Sequence, residues 1–238
     1  MEKEKSNIPV HTFETSFWHN INKAQRITLG GKLVLRPQSN ERSLLKSSLA
    51  NKQEFLGNDD SAYNHTQQVA NLYGSYAISS RKLKLDLGLR YEYQKDKLLH
   101  SDSNHNFRKH FSNLLPSLSF AYQCSNNMSM ELSYDMNVSR PNISVLDPYV
   151  DYTTPLQLTY GNTDLKPENT HTIDFTINQR IKRYTLITSL TYATTDRLIL
   201  NYQYTDKSIL HNTTGNIGKK NDLMLYNSLS GRLSRNVY

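Results

Sequence analysis

The sequence has one cysteine, one tryptophan and no long apolar run among its 238 residues. A single cysteine, Cys124, excludes an internal disulfide, and the Ser-Asn-Asn that follows it is typical of a turn. Apolar residues make up 37% of the chain, and no run approaches the roughly 18 consecutive apolar residues of a membrane-spanning helix. A helical membrane protein is therefore excluded. A transmembrane β-barrel is not, because half of each barrel strand faces a polar lumen.

The chain also lacks the common catalytic and nucleic-acid-binding motifs. It has no G-x-S-x-G elbow, no P-loop and no H-E-x-x-H, so no catalytic or cofactor-binding residue is predicted. The net charge of +7 invites a nucleic-acid hypothesis, but Lys and Arg are scattered without a basic helix or a recognised binding motif. We expect neither an enzyme nor a nucleic-acid-binding protein.

The beginning of the chain is polar and carries no apolar segment typical of a signal peptide. Residues 1–9 are therefore predicted to form a polar tail. The rest of the chain shows the same alternation of apolar and polar residues throughout. We expect a single partial barrel domain over 1–238, and we expect it to be a piece of a longer protein.

Alternation with a period of two is the strongest pattern in the chain. From Lys82 to Tyr93, Leu and Tyr residues occupy every second position, and charged residues or glycine occupy most of the others. The same alternation recurs at 27–35, 114–122 and 128–138, and more weakly elsewhere. Several of these strands reach the nine to eleven residues that a tilted membrane strand needs, roughly twice the usual soluble length.

Short and long connections alternate along the chain. Short ones are predicted near 19–24, 79–82, 123–127 and 181–183, and long ones near 37–66, 94–111, 140–170 and 205–212. This order requires 184–204 to be one long strand, interrupted near Thr195-Asp196 by a bulge. The pattern predicts an all-β fold, namely an incomplete antiparallel up-and-down transmembrane β-barrel segment. It would have about nine to ten strands, short periplasmic turns and long extracellular loops.

The third long connection contains a distinctive run of turn residues. It carries Arg140-Pro141 at its start, Asp147-Pro148 inside it, and Gly161-Asn162-Thr163-Asp164-Leu165-Lys166-Pro167-Glu168 at its end. Gly161 is expected to supply a positive φ, Asn162 to tolerate one, and Pro167 to preset a turn before the next strand.

These motifs resemble the "RP … LNP … GNPxLKPE" signature in the barrel of TonB-dependent outer-membrane receptors. The sequence departs from it with Asp147 in place of Asn and Thr163 in place of Pro, and neither change removes the turn chemistry. We define the signature residues as Arg140, Pro141, Asp147, Pro148, Gly161, Asn162, Leu165, Pro167 and Glu168. They are expected to form an extracellular loop with a conformational role at the barrel rim.

The resemblance implies a bacterial outer-membrane location and an intact barrel of about 22 strands. It also implies a plug domain, a TonB-type energy transducer acting through that plug, and a nutrient ligand of the siderophore, cobalamin, glycan or peptide class. Outer-membrane lipid would be a further partner. Two alternatives stay open at this point, a small complete outer-membrane barrel acting as adhesin or structural protein, and a soluble secreted β binding domain.

Two groups of side chains could suggest a metal site. His100, His105 and His110 recur every five residues with Asp102 between the first two, but the spacing matches no standard zinc pattern. The acids of the third long connection lack the calcium-binding spacing of an EF-hand and suit turns instead. These acids are Asp147, Asp151, Asp164 and Glu168. No metal site is predicted.

The polar face of the alternating strands is expected to line the lumen, where charges stay hydrated and can tether a plug. The predicted lumen residues are Lys84, Asp86, Arg90, Glu92, Glu131, Asp135, Asp174 and Asn178.

Overall fold

The structure is a computed structural model that describes residues 3–7, 10–44, 59–100, 106–148, 150–151 and 156–231. The described residues form twelve strands and one short helix, α1 (Ile143–Leu146). In chain order the strands are β1 (Lys3–Asn7), β2 (His11–Asn22), β3 (Gln25–Leu44), β4 (Asp59–Ser79), β5 (Leu83–His100), β6 (Phe107–Ser125), β7 (Met128–Ser139), β8 (Val150–Asp151), β9 (Gln157–Tyr160), β10 (Glu168–Ile181), β11 (Tyr184–Asp206) and β12 (Ile209–Gly231). Within the described residues, no helix is long and apolar enough to cross a membrane.

All strands belong to one sheet, whose main path runs β1-β3-β4-β5-β6-β7-β10-β11-β12-β9-β8. β2 also pairs with β3, beside the half that β1 leaves free. Every pairing is antiparallel except that of β9 with β12. Nine of the strands have 12 or more residues, which confirms the predicted all-β barrel segment. Within the polar tail expected over 1–9, Lys3–Asn7 form the short strand β1.

The short connections are confirmed. Turns at 23–24, 80–82, 126–127 and 182–183 join successive long strands at one end of the sheet. At the other end the strands continue into the segments predicted as loops, with β3 reaching Leu44 and β5 reaching His100. Polar side chains do not stop a strand, because ladder hydrogen bonds join backbone groups only. Residues 45–58 of the first predicted long connection lie outside the described part of the chain.

The predicted long connection at 205–212 is wrong. β11 and β12 meet at a two-residue turn, Lys207-Ser208, with φ angles of 46° and 64°. Two positive φ values are the geometry of a type I′ hairpin, which usually selects Asn or Gly. The sequence does not predict this turn, because neither Lys207 nor Ser208 is a residue typical of a type I′ turn.

The long strand predicted over 184–204 is confirmed as β11, and so is its interruption. The register with β12 shifts between Asp196 and Leu198 and again before Ile199, and Arg197 at this bulge has a φ of 59°. The bulge lies within one to two residues of the predicted position.

The two faces of the sheet differ as the alternation predicts. Leu87, Leu89, Tyr91 and Tyr93 of β5 are exposed on one face. Along the same strand the intervening side chains point to the other face, where Glu92 is buried. The exposed apolar face is the one expected to meet lipid, and the polar face lines the lumen.

Candidate functional site

The described residues of the segment 140–168, between β7 and the start of β10, fold inward across the polar face of the sheet. Ile143 and Leu146 of α1 form part of a cavity of about 610 Å³, together with Arg36, His65 and Asp96 on β3, β4 and β5. The side chain of Leu146 is only 2% exposed. The segment therefore packs against the lumen wall.

Arg140 fixes the start of this segment. Its guanidinium forms an ion pair with the carboxylate of Glu92 on β5, whose side chain is 7% exposed. The Nε of Arg140 is buried and has no hydrogen-bond partner among the residues that the structure describes. Arg140 also borders a second cavity of about 320 Å³, which it shares with Glu14, Lys32 and Arg90. One signature residue thus links the segment to two lumen cavities.

A second polar cluster surrounds Asp96 on β5. Its carboxylate contacts His65 Nε2 at 3.1 Å, accepts from Gln67 Nε2 at 3.2 Å and accepts from Gln94. Arg36 in turn donates to Gln67 at 2.9 Å. Sequence reasoning missed this cluster because 94–111 was predicted to be a loop. Continuing the alternation from Glu92 would have placed residues 94 and 96 on the lumen face.

Gly161 packs directly on the end of α1. Its N–H donates to the carbonyl of Asp147 at 2.9 Å, and a Cβ at this position would lie 2.5 Å from that oxygen and 2.7 Å from the carbonyl of Val145. The expectation that Gly161 supplies a positive φ is wrong, since no described glycine has one. The residue is required for close backbone approach instead.

Asn162 is the turn residue of the signature and also its anchor to β12. Its Oδ1 accepts from the N–H of Asp164 at 2.8 Å, which is an Asx-turn, and its Nδ2 donates to the carbonyl of Thr214 at 2.9 Å. The N–H of Asn162 donates to Val145 at 2.7 Å. The expected tolerance of a positive φ is not used, because Asn162 is not among the described residues that have one.

The end of the signature docks on the bulge of β11. The N–H of Ile199 donates to Glu168 Oε1 at 2.6 Å, and Asn216 Nδ2 donates to the carbonyl of Arg197 at 2.6 Å. Asn216 also exchanges two hydrogen bonds with the backbone of Lys166, at 2.7 and 2.9 Å. Backbone groups freed by the bulge are thereby satisfied. Asn216 was missed because its role depends on a pairing 50 residues away.

The other signature residues complete the packing. Pro141, Leu165 and Pro167 are buried, with Leu165 only 1% exposed. Asp147 follows α1, and its N–H donates to the carbonyl of Ile143 at 2.9 Å. Pro148 is half-buried directly after it. The signature residues thus contact the lumen face at separate places, Arg140 at β5, Asn162 at β12 and Glu168 at the bulge of β11.

A small aromatic cluster lies where β9 meets the top of the β11–β12 hairpin. The hydroxyls of Tyr160 and Tyr204 are 2.7 Å apart, and His211 Nδ1 lies 3.3 Å from the first. The Tyr204 and His211 rings stack with their centroids 4.7 Å apart. The hydrogen bond to Tyr204, with a smaller contribution from burial, raises the pKa of Tyr160 to about 12.

The histidines and acids weighed as metal ligands do not converge where they are described. His110 stacks on Tyr93, with 6.5 Å between the ring centroids. Asp164 is almost fully exposed and lies 3.9 Å from Lys109, which donates to the carbonyl of Thr163 at 2.6 Å. His105 and Asp102 lie outside the described residues, and only the backbone is described for His100 and Asp151. Among the described side chains, no group of three or more His, Cys, Asp or Glu could hold a metal ion.

The strand register places the predicted lumen residues on one face. Asp174 pairs opposite Ser133 and accepts from the hydroxyl of Thr191, while Asp135 accepts from Asn137. The rest of the set alternates in phase with these on β5, β7 and β10. The set comprises Lys84, Asp86, Arg90, Glu92, Glu131, Asp135, Asp174 and Asn178.

Solved structures with this fold are outer-membrane transporter and receptor barrels. The iron transporter FrpB from Neisseria meningitidis (F3-3 variant) matches with a TM-score of 0.66 and 17% identity, over 96% of this chain and 34% of its own. The copper transporter OprC matches with 0.69 and 11%, over 98% and 37%. The hemophore receptor HasR of Serratia marcescens matches with 0.67 and 13%, over 96% and 40%.

An outer-membrane β-barrel protein is therefore the class that this sheet and its inward-folded segment define. The sequence profile of the outer membrane protein beta-barrel family matches residues 1–238, and the chain belongs to that family. Its location is the bacterial outer membrane, which removes the soluble alternative. The resemblance to TonB-dependent receptor barrels is confirmed at the level of the fold. The chain spans about a third of the length of the structures it matches, and no curated protein matches it.

Proposed function

We propose that this chain forms part of the barrel of a TonB-dependent receptor. The complete protein would bind a scarce nutrient at its outer loops and admit it when the energy transducer pulls on a plug domain. The chemistry is binding and gating, with no covalent step. The observation that carries the proposal is the segment 140–168, which folds into the lumen and is held at both walls, by Glu92 on β5 and by Asn216 on β12.

The lumen wall offers partners for a plug. Lys32, Arg36, Arg90 and Arg140 border the 320 Å³ cavity, and Glu14 and Glu92 are the only acids on its described walls. Ion pairs with a plug would use these groups, whose charges stay partly hydrated at a lumen surface. The buried Nε of Arg140 and Oε1 of Gln94 have no partner among the described residues, which supports a contact with another part of the protein.

The nutrient belongs to one of four classes, a siderophore, a cobalamin, a glycan or a peptide. The structural neighbours include an iron transporter, a ferric-catecholate receptor and a receptor for ferric yersiniabactin. Ferric siderophores are therefore the first class to test.

The test uses the full-length protein that contains this chain, produced in a host lacking its own receptors for the compounds. A ferric catecholate, a ferric hydroxamate, cyanocobalamin, an oligosaccharide and a peptide are supplied with and without the energy transducer. For one of these compounds, we expect binding to cells to persist without the transducer and uptake to be lost. Uptake that is independent of the transducer would contradict the proposal, and so would a lack of binding to every compound, which would favour an adhesin or structural barrel.

The role of the segment 140–168 is tested with Asn216→Ala. This change removes two contacts with Lys166 and one with Arg197. At roughly 1 kcal/mol net for each lost hydrogen bond, uptake or affinity should fall about tenfold or more. Asn227→Ala is the matched control, because Asn227 lies on the same strand and its side chain, within the described part of the chain, accepts only from Thr188. An equal effect of the two substitutions would contradict a role for the segment.

A further inference from the structure

A basic patch, exposed except for the half-buried Lys97, lies on the apolar side of the sheet. Lys95 and Lys97 on β5 alternate in phase with Leu89, Tyr91 and Tyr93 and so point away from the lumen. On β6, His110 pairs with Lys95 and Arg108 pairs with Lys97. The stacking of His110 on Tyr93 places the imidazole on this outer face. We call the four residues Lys95, Lys97, Arg108 and His110 the outer basic patch.

The patch begins at the height of the headgroup layer and extends a few ångströms beyond it. β5 leaves the periplasmic turn at Leu83, and the nine to eleven residues of a tilted membrane strand end near Tyr93. At about 3.3 Å per residue and a tilt near 40°, Lys95 and Lys97 lie roughly 5 and 10 Å above the tyrosine row. The headgroup layer of a bilayer is about 5–7 Å thick on each side. The patch therefore begins where the hydrocarbon ends.

No acid neutralises the patch in the described part of the protein. The β4 residues opposite Lys95 and Lys97 are Gln68 and Thr66, and the described pairing of β7 with β6 begins only at Ser117. No described carboxylate lies within ion-pair distance of Lys95, Lys97 or Arg108. At the same end of the sheet, by contrast, Lys219 of β12 is paired with Asp196 at 3.0 Å.

Basic side chains directly opposite each other on paired strands repel and destabilise the sheet. Lys97 facing Arg108 is such a pair. An anion bound among these basic side chains would replace their mutual repulsion with attraction to the anion. Phosphate suits the site, because Lys and Arg bind it through charge-assisted hydrogen bonds.

We propose that the outer basic patch binds the phosphate groups of a phosphorylated glycolipid in the outer leaflet. Tyr91 and Tyr93 then contact the upper part of its acyl chains, as interfacial aromatic residues do. Gln68 and Thr66 supply neutral hydrogen-bonding groups beside the sugar. This inference rests on the outer-membrane location and does not depend on the transport function.

The test measures binding of diphosphoryl lipid A to the full-length protein in nonionic detergent, by native mass spectrometry and by titration. The variant carries Lys95→Gln, Lys97→Gln and Arg108→Gln. Each Lys or Arg near an anionic lipid surface contributes about a factor of five, so the affinity should fall about a hundredfold. Arg108→Gln alone should lower it about fivefold, which keeps the test open if the triple variant folds poorly. Lys219→Gln, which removes an outward lysine already paired with an acid, should change it less than twofold.

The lipid itself is varied in the same assay. Wild-type protein should bind lipid A with its phosphates removed about as weakly as the triple variant binds the diphosphoryl form. Equal binding of the phosphate-free lipid would overturn the proposal, and so would a triple variant within twofold of wild type. If inorganic phosphate binds as tightly as diphosphoryl lipid A, the site takes free phosphate and the lipid assignment is wrong. Nutrient uptake is not read in this assay, so its outcome and that of the transport experiment are independent.

Discussion

At the residue scale, Gly161 and Asn216 have the most specific roles in positioning the segment 140–168. Gly161 allows the backbone to approach the end of α1, and Asn216 joins the signature to the bulge of β11. The sequence motif predicts that Gly161 matters but assigns the wrong reason. Asn216 lies outside the motif and becomes visible only with the long-range register.

Replacing Gly161 with Ala should undock the segment. The new Cβ would lie 2.5 Å from the carbonyl oxygen of Asp147, and backbone cannot move aside as a flexible side chain can. A cost of about 1–3 kcal/mol is expected, as for overpacking elsewhere. Hydrogen–deuterium exchange should show faster exchange at Gly161 and Asn162. In the control Gly31→Ala, where the Cβ would meet only a carbonyl oxygen at 3.6 Å, protection of the segment should be unchanged.

Glu168→Ala should loosen the bulge, because the N–H of Ile199 loses its acceptor. The expected cost is about 1–2 kcal/mol, which is typical of a backbone donor left without a partner. Glu168→Gln keeps an acceptor oxygen and should retain most of the stability. The urea midpoint of the folded barrel in lipid vesicles measures both. Equal losses in the two variants would mean that charge, rather than the hydrogen bond, is what matters at this position.

Tyr160 gives a prediction for high pH. Its pKa is raised to about 12, mainly by the hydrogen bond to Tyr204, whereas an unfolded tyrosine titrates near 10. The stabilising contribution is therefore complete below about pH 10 and is lost as the pH rises through about 12. The difference in phenolate absorbance between wild type and Tyr160→Phe should have its midpoint near 12. In a Tyr204→Phe background the midpoint should move down, and a midpoint that stays in place would contradict the assigned cause.

At the scale of elements, the alternation of residues predicts much of the sheet, because one face meets lipid and the other meets the lumen. It locates the nine long strands, and the order of short and long connections locates the bulge of β11. It does not predict how far strands continue beyond the membrane. Residues such as His65, Gln94 and Asp96 are polar, and no apolar alternation marks the strands there. It cannot predict the docking of the segment on β12 either, because β9 and β12 are brought together by contacts some 50 residues apart.

The assignment of faces can be tested on two neighbouring residues. Leu87 lies in the middle of the membrane-spanning part of β5 and is exposed on the lipid face. Leu87→Arg should cost about 2–4 kcal/mol of unfolding free energy in lipid vesicles, as arginine does at the membrane midplane. Ala77→Arg places the same charge on the lumen face opposite Asp86, where the cost should be near zero. Reversed costs would mean that the faces are exchanged.

At the scale of the whole molecule, the sheet is a wall whose outer face is mostly apolar and whose lumen face is mostly polar. The segment 140–168 is attached to that wall at β5, at β12 and at the bulge of β11. A segment attached at several points can narrow a lumen and can also move as a unit when those contacts change. In the proposed receptor, this segment would couple nutrient binding at the outer loops to movement of the plug inside the barrel.

The inward position of the segment is tested most directly by cysteine labelling of the full-length protein in intact cells. In a Cys124→Ser background, the rate of reaction with a membrane-impermeant maleimide is compared for Leu146→Cys, Leu165→Cys and Asp164→Cys. The side chains of Leu146 and Leu165 are 2% and 1% exposed, whereas that of Asp164 is 95% exposed. The structure predicts rapid labelling at 164 and labelling at least about tenfold slower at 146 and 165, if local opening costs 1.4 kcal/mol or more. Equal rates at all three positions would show that the segment stands free of the lumen wall.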